Sequence, residues 1–123
     1  MFARHLIDSV AQGQRSLDLR VRLNWYRSLP LDCLEQLEVS LDGARLDPAR
    51  TTVEVAGNPW PADGDDRWWP VRDAARVHVE LTDVPSAGTH RVEVVIGTRI
   101  PYLVSPDGHA AVIVDRAAAE VTR

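Results

Sequence analysis

The sequence predicts an all-β protein, a sandwich of mainly antiparallel strands, and three observations carry that prediction. Leu17, Leu19, Val21 and Leu23 alternate strictly with Asp18, Arg20 and Arg22, which is the period of a strand with one buried and one wet face. The same alternation returns in Val77, Val79 and Leu81, and again in Val92, Val94 and Ile96. Turn signals separate these runs at short spacing, and little of the chain has helical periodicity.

Taken in order, residues 1–14 hold a small apolar group, Phe2, Leu6, Ile7 and Val10, and then Gly13. They predict an N-terminal strand or arm closed by a turn. The strand over 15–24 runs into Trp25-Tyr26-Arg27-Ser28-Leu29-Pro30. Connections between strands are ordinarily short and polar. This one is apolar and aromatic, so either the core or a partner must cover it. Leu34, Leu37, Val39 and Leu41 then lead to Asp42-Gly43, a hairpin signal because glycine tolerates the positive φ that the turn requires. A helical turn over Leu34–Leu37 is the minority alternative. Leu46 belongs to the return strand, Asp47-Pro48 breaks it, and Thr51–Val55 is β-branched and extended.

Residues 56–73 read as one long irregular loop that carries Trp60, Trp68 and Trp69. After the strand over 76–81 and a turn over 83–88, a long strand runs from Thr89 to Arg99. Gly97 suggests a bulge, and Ile100-Pro101-Tyr102 continues the strand, with Pro101 pointing to an edge or strand end. Ser105-Pro106-Asp107-Gly108 is a turn and 110–114 a last strand. Residues 115–123 read as a C-terminal tail, helix-compatible from Ala117 but frayed. The whole of 1–123 is expected to form one domain.

Composition narrows the function. A net charge of −4, with no lysine and scattered arginines, opposes nucleic acid as a main partner. No segment approaches the ~20 apolar residues of a membrane span, and the N-terminus lacks the apolar run of a signal peptide, so the cytoplasm is the expected location. The single cysteine, Cys33, excludes an internal disulfide and reads as a small buried hydrophobe. His5, His78, His90 and His109 show no metal-ligand spacing and read as surface histidines. Asp63-Gly64-Asp65-Asp66 fails as a calcium loop: its glycine is misplaced, and Ala74 stands where a bidentate glutamate belongs. No phosphate loop or nucleophile elbow occurs. The tryptophans are either a satellite core or an aromatic surface for a sugar or a partner.

The run Leu23–Leu31, followed by Leu37-Glu38-Val39-Ser40-Leu41-Asp42-Gly43, resembles the small β subunit of bacterial C-glycoside deglycosidases. Trp69-Pro70-Val71-Arg72-Asp73-Ala74-Ala75 agrees, as does Gly88–Ile96 running on to Arg99-Ile100-Pro101-Tyr102. The blocks fall in order across residues 15–104. The resemblance implies a β-sandwich that assembles with a larger TIM-barrel α subunit. It implies that the α subunit binds a divalent metal, usually manganese, while this chain holds no metal, cofactor or main catalytic residue. It implies cleavage, by elimination, of the carbon–carbon bond between a 3-oxo sugar and an aromatic aglycone such as a flavonoid. On that basis Trp25, Tyr26, Arg27, Trp60, Trp68, Trp69, Arg99 and Tyr102 are the expected substrate- or partner-facing residues. The chain departs from the resemblance over Ala56–Gly64, where related chains carry Gly-Lys and a Tyr-Thr-Leu-type segment. That departure puts aglycone preference in doubt. A free-standing carbohydrate-binding module that stacks sugars on Trp60, Trp68 and Trp69 is the alternative, and a self-contained hydrolase a third reading.

Overall fold

Alternation along each strand dictates two sheets whose apolar faces meet. In a computed structural model, which describes residues 6–61 and 67–122, they do. Among the described residues eleven strands occur in the order β1 (Ile7–Gln12), β2 (Ser16–Val21), β3 (Leu29–Pro30), β4 (Leu34–Leu41), β5 (Ala44–Arg45), β6 (Thr51–Val55), β7 (Asn58–Trp60), β8 (Trp68–Trp69), β9 (Ala75–Glu80), β10 (Thr89–Val104) and β11 (Ala110–Thr122). One sheet has the order β1-β2-β9-β6-β7 and the other β11-β10-β4-β5; β3 and β8 form a separate short pair. Every pairing among them is antiparallel.

The core lies between the sheets. Leu17, Leu19 and Val21 of β2, Val77 and Val79 of β9, and Val53 and Val55 of β6 come from one side. Val92, Val94 and Ile96 of β10 and Val39 of β4 come from the other. Each such side chain contributes about 1.5–3 kcal/mol on leaving water. β1 of one sheet lies across from β11 of the other along one flank of the sandwich.

The expected hairpin forms. Asp42 (φ 51°) and Gly43 (φ 85°) make a two-residue turn between Leu41 and Ala44, and Leu46 donates its N–H back to Val39. A register shift falls at Gly97, as its glycine suggested. Leu34–Leu37 is strand, preceded by a 3-10 turn at Leu31–Cys33.

Two expectations are corrected. The tail over 115–123 is not a frayed helix, because β11 runs to Thr122 and pairs with β10 along its length. Ala117, Ala118 and Ala119 lie opposite Val94, Glu93 and Val92, and that long-range pairing overrides local helix propensity. The loop over 56–73 contains β7 and β8. Ala56 (φ 50°) and Gly57 (φ 83°) turn β6 into β7, a hairpin that the alanine at positive φ concealed. As expected, β10 continues through Ile100-Pro101-Tyr102; it ends at Val104, with a register irregularity between Ile100 and Val104 around the proline. The acidic turn at 63–66 lies outside the described residues.

Candidate functional site: an aromatic connection clamped to the sheet

After β2 the chain crosses from one sheet towards the other, and Asn24 fixes the crossing. Asn24 is fully buried. Its Nδ2 donates to the carbonyl of Ile113 at 3.1 Å and to Asp115 Oδ2 at 3.0 Å, while Thr98 Oγ1 donates to its Oδ1. A buried amide left unpaired costs about 1–3 kcal/mol, so these bonds hold the connection against β10 and β11. Sequence reasoning missed Asn24. Its signal was a polar residue directly after strict alternation, at the start of an apolar stretch.

Trp25, next to this clamp, is half-buried against the core. Its ring N–H donates to the Tyr102 hydroxyl. Tyr26 packs on Trp25 with ring centroids 5.0 Å apart, and Tyr102 lies 6.4 Å from Trp25. The Arg27 guanidinium carbon stands 6.0 Å from the Tyr102 ring centroid, at the reach of a cation–π contact. The structure therefore brings the consecutive residues Trp25, Tyr26 and Arg27 together with Tyr102, 77 positions beyond Trp25 in the sequence. The cluster is not shut in: Tyr26 is 59% exposed and Tyr102 48%. Leu103, Val104, Val112 and Val114, at the same end of the β10–β11 hairpin, are also exposed.

The other expected residues separate from this cluster. Trp69 is 1% exposed, opposite Leu29 in the short β3–β8 pair, and its ring N–H donates to the Asp73 carbonyl at 2.7 Å. It belongs to the core and offers no surface to a partner. Trp60 is half-buried and donates to the Leu34 carbonyl at 3.0 Å. Trp68, opposite Pro30, is half exposed. With Trp69 inside, Trp60, Trp68 and Trp69 do not form one flat platform. Arg99 is half-buried, 3.4 Å from Glu35 Oε1, 3.9 Å from Asp32 Oδ1 and 3.8 Å from Cys33 Sγ.

The titratable groups are occupied structurally. Burial pushes the Cys33 thiol up, with Arg99 opposing, so its reactive thiolate is disfavoured. His78, on the wet face as expected, bonds Glu80 at 2.8 Å through Nε2 and Asp18 at 2.6 Å through Nδ1. The Glu80 bond, then the Asp18 bond, raise its pKa. His90 corrects the surface-histidine reading. It is 8% exposed, with Nδ1 against Asp42 and Nε2 2.7 Å from the Ser86 carbonyl. It ties the Asp42-Gly43 hairpin to the start of β10. His109 is exposed on the turn before β11, and His5 lies outside the described residues. Among the described residues no group of three or more His, Cys, Asp or Glu side chains converges as a metal ion would require. No helix of the described residues is long and apolar enough to cross a membrane.

Residues 5–102 match the family described as C-glycoside deglycosidase beta subunit. The chain is 39% identical over 111 residues to the 3'-dehydrocarminate deglycosidase beta subunit of a Microbacterium species, covering 84% of this chain and 82% of that relative. It is 31% identical over 93 residues to the C-glycoside deglycosidase beta subunit of Microbacterium trichothecenolyticum, covering 72% and 70%. A C-glycoside deglycosidase beta subunit of Arthrobacter globiformis is 27% identical over 99 residues, covering 76% and 75%. The chain belongs to the C-glycoside deglycosidase beta subunit family.

Proposed function

We propose that this chain is the β subunit of a cytoplasmic hetero-oligomeric lyase that cleaves the carbon–carbon bond between a 3-oxo sugar and an aromatic aglycone. In this reading its partner is a TIM-barrel α subunit that carries a divalent metal, manganese, and the acid–base groups. The sugar ketone acidifies the adjacent C2 proton. A base removes that proton, the electron pair forms a C1–C2 double bond, and the C1–aryl bond breaks. The aryl carbon leaves with the bonding pair and takes up a proton. One relative is named for a 3'-dehydro substrate, the oxidation state that this elimination requires.

The observation that carries the reading is the exposed Tyr26–Tyr102–Arg27 cluster on its rigid Asn24 clamp. Tyrosine, tryptophan and arginine anchors, preorganised and partly exposed, are what a subunit interface uses. Exposed Leu103, Val104, Val112 and Val114 lie at the same end of the β10–β11 hairpin, and exposed apolar side chains grouped in this way favour a partner surface. This chain docks, walls the α subunit's active site and contributes no base.

Co-expression with the α subunit tests this. The two chains are expected to co-purify and to turn over a 3-oxo C-glycoside together, with neither active alone. A chain that stays apart from the α subunit, or an α subunit equally active without it, would refute the assignment. A sugar-binding module receives less support, because Trp69 is withdrawn into the core and the three-tryptophan platform is not assembled.

A further inference from the structure

β11 is the outermost strand of its sheet, and among the described residues nothing pairs with its far side. Which backbone groups face that side follows from one hydrogen bond. Asp42 N–H donates to the Arg91 carbonyl at 2.8 Å, so Arg91 addresses its backbone to the β4 side of β10. Backbone direction alternates along a strand. His90, Val92, Val94 and Ile96 therefore address β11, where their partners are Val121, Ala119, Ala117 and Asp115. The intervening residues, Val114, Arg116, Ala118, Glu120 and Thr122, turn their N–H and C=O groups to the open edge.

Open edges in native proteins are blunted by proline, lysine, bulges or inward charges. Over Val114–Thr122 there is no proline or lysine, and the ladder with β10 is unbroken. The one inward charge, Asp115, is taken up by Asn24. The edge is thus long, regular and competent to pair.

Its charges indicate what it pairs with. In an antiparallel self-pairing centred on Ala118, Arg116 of each copy falls opposite Glu120 of the other. Both side chains lie on the outer face, where directly opposed unlike charges attract. Neighbouring symmetric registers lose this match. Centred on Ala117, Arg116 meets Ala118 and Glu120 meets Val114; centred on Arg116, the arginine meets itself.

We propose that β11 pairs with β11 of a second copy of this chain, antiparallel and centred on Ala118, joining two four-stranded sheets into one continuous sheet. The pairing does not rest on the enzymatic reading and leaves the aromatic cluster free for another partner.

Sedimentation equilibrium of the full chain tests it, with circular dichroism to confirm that each variant is folded. The wild type is expected to dimerise. Ala118→Pro removes an N–H that the β10 ladder does not use, so it should keep the fold and lose the dimer. Arg116→Glu and Glu120→Arg should each weaken dimerisation by about tenfold, and the double swap should restore it to within about threefold. If Ala118→Pro unfolds the chain, the charge swap decides. A folded wild type that stays monomeric at about 100 µM, a dimer indifferent to Ala118→Pro, or a double swap without recovery overturns the proposal. So does a complex in which Ala118→Pro releases a different partner and no second copy is present.

Discussion

Two connections in this chain are rich in aromatics and proline, and they end differently. The Trp25–Pro30 connection presents Tyr26 and Arg27 outward, whereas the Trp60–Trp69 region turns Trp69 into the core. Both use a tryptophan ring N–H as a tether, to Tyr102 in one and to Asp73 in the other. What differs is the backbone. Residues 68–69 pair with 29–30 as a short ladder, which orients alternate side chains inward and outward, so Trp69 is buried while Trp68 is half exposed. Residues 25–27 belong to no ladder; Asn24 holds them from one end, Trp25 packs at a tilt against Tyr26 and Tyr102, and Tyr26 stays wet. Aromatic content alone therefore separates neither anchor from core.

Substitutions can break that contrast, and the largest effect is expected at Trp69. Trp69→Ala should cost about 3–5 kcal/mol of stability, read as a large drop in denaturation midpoint, and should impair assembly only through loss of fold. A midpoint within error of the wild type would show that Trp69 is not core. Tyr26→Ala and Arg27→Ala should behave in the opposite way. Their stability change should stay within about 0.5 kcal/mol, while affinity for the α subunit falls by about 1–2 kcal/mol in a binding titration. Intact binding together with a collapsed melting temperature would move these residues into the same class as Trp69.

The smallest effect is expected at His78, which calibrates what a wet-face contact contributes away from both connections. Its pKa is raised above 6.5 in the folded state, by Glu80 first and Asp18 second. The stabilisation is therefore complete below about pH 6.5 and is lost as pH rises through the raised value. Because the side chain is 40% exposed, the effect should be a fraction of about 1 kcal/mol. Urea melts of His78→Gln and the wild type should differ most near pH 6 and converge near pH 9. A gap that widens with pH would reverse the sign and refute the ion-pair account.

The family resemblance rested on blocks that the structure places in the aromatic connection, β4, the passage from β8 to β9, and β10, and the family match covers them all. The candidate site was legible in part. Trp25-Tyr26-Arg27 stood out as an apolar connection, but its meeting with Tyr102 depends on where β10 ends relative to β2, which no local pattern encodes. Asn24 was overlooked because its importance lies in partners on β10 and β11, not in its neighbours. His90 was placed on the surface because its burial against Asp42 requires the hairpin to fold back on the start of β10.

The sequence by itself determined which face of β2, β9 and β10 is apolar, and where the chain must turn at Asp42-Gly43 and Ser105–Gly108. Those properties are local: side-chain alternation follows from strand geometry, and positive φ from the residue in the turn. Only the tertiary structure decided that Trp69 is core and Tyr26 surface, that the alanine-rich end is a strand, and that among the described residues its outer edge stays unpaired. Each of those outcomes is set by which distant strand lies alongside, and pairing between distant strands overrides the propensity of a short segment.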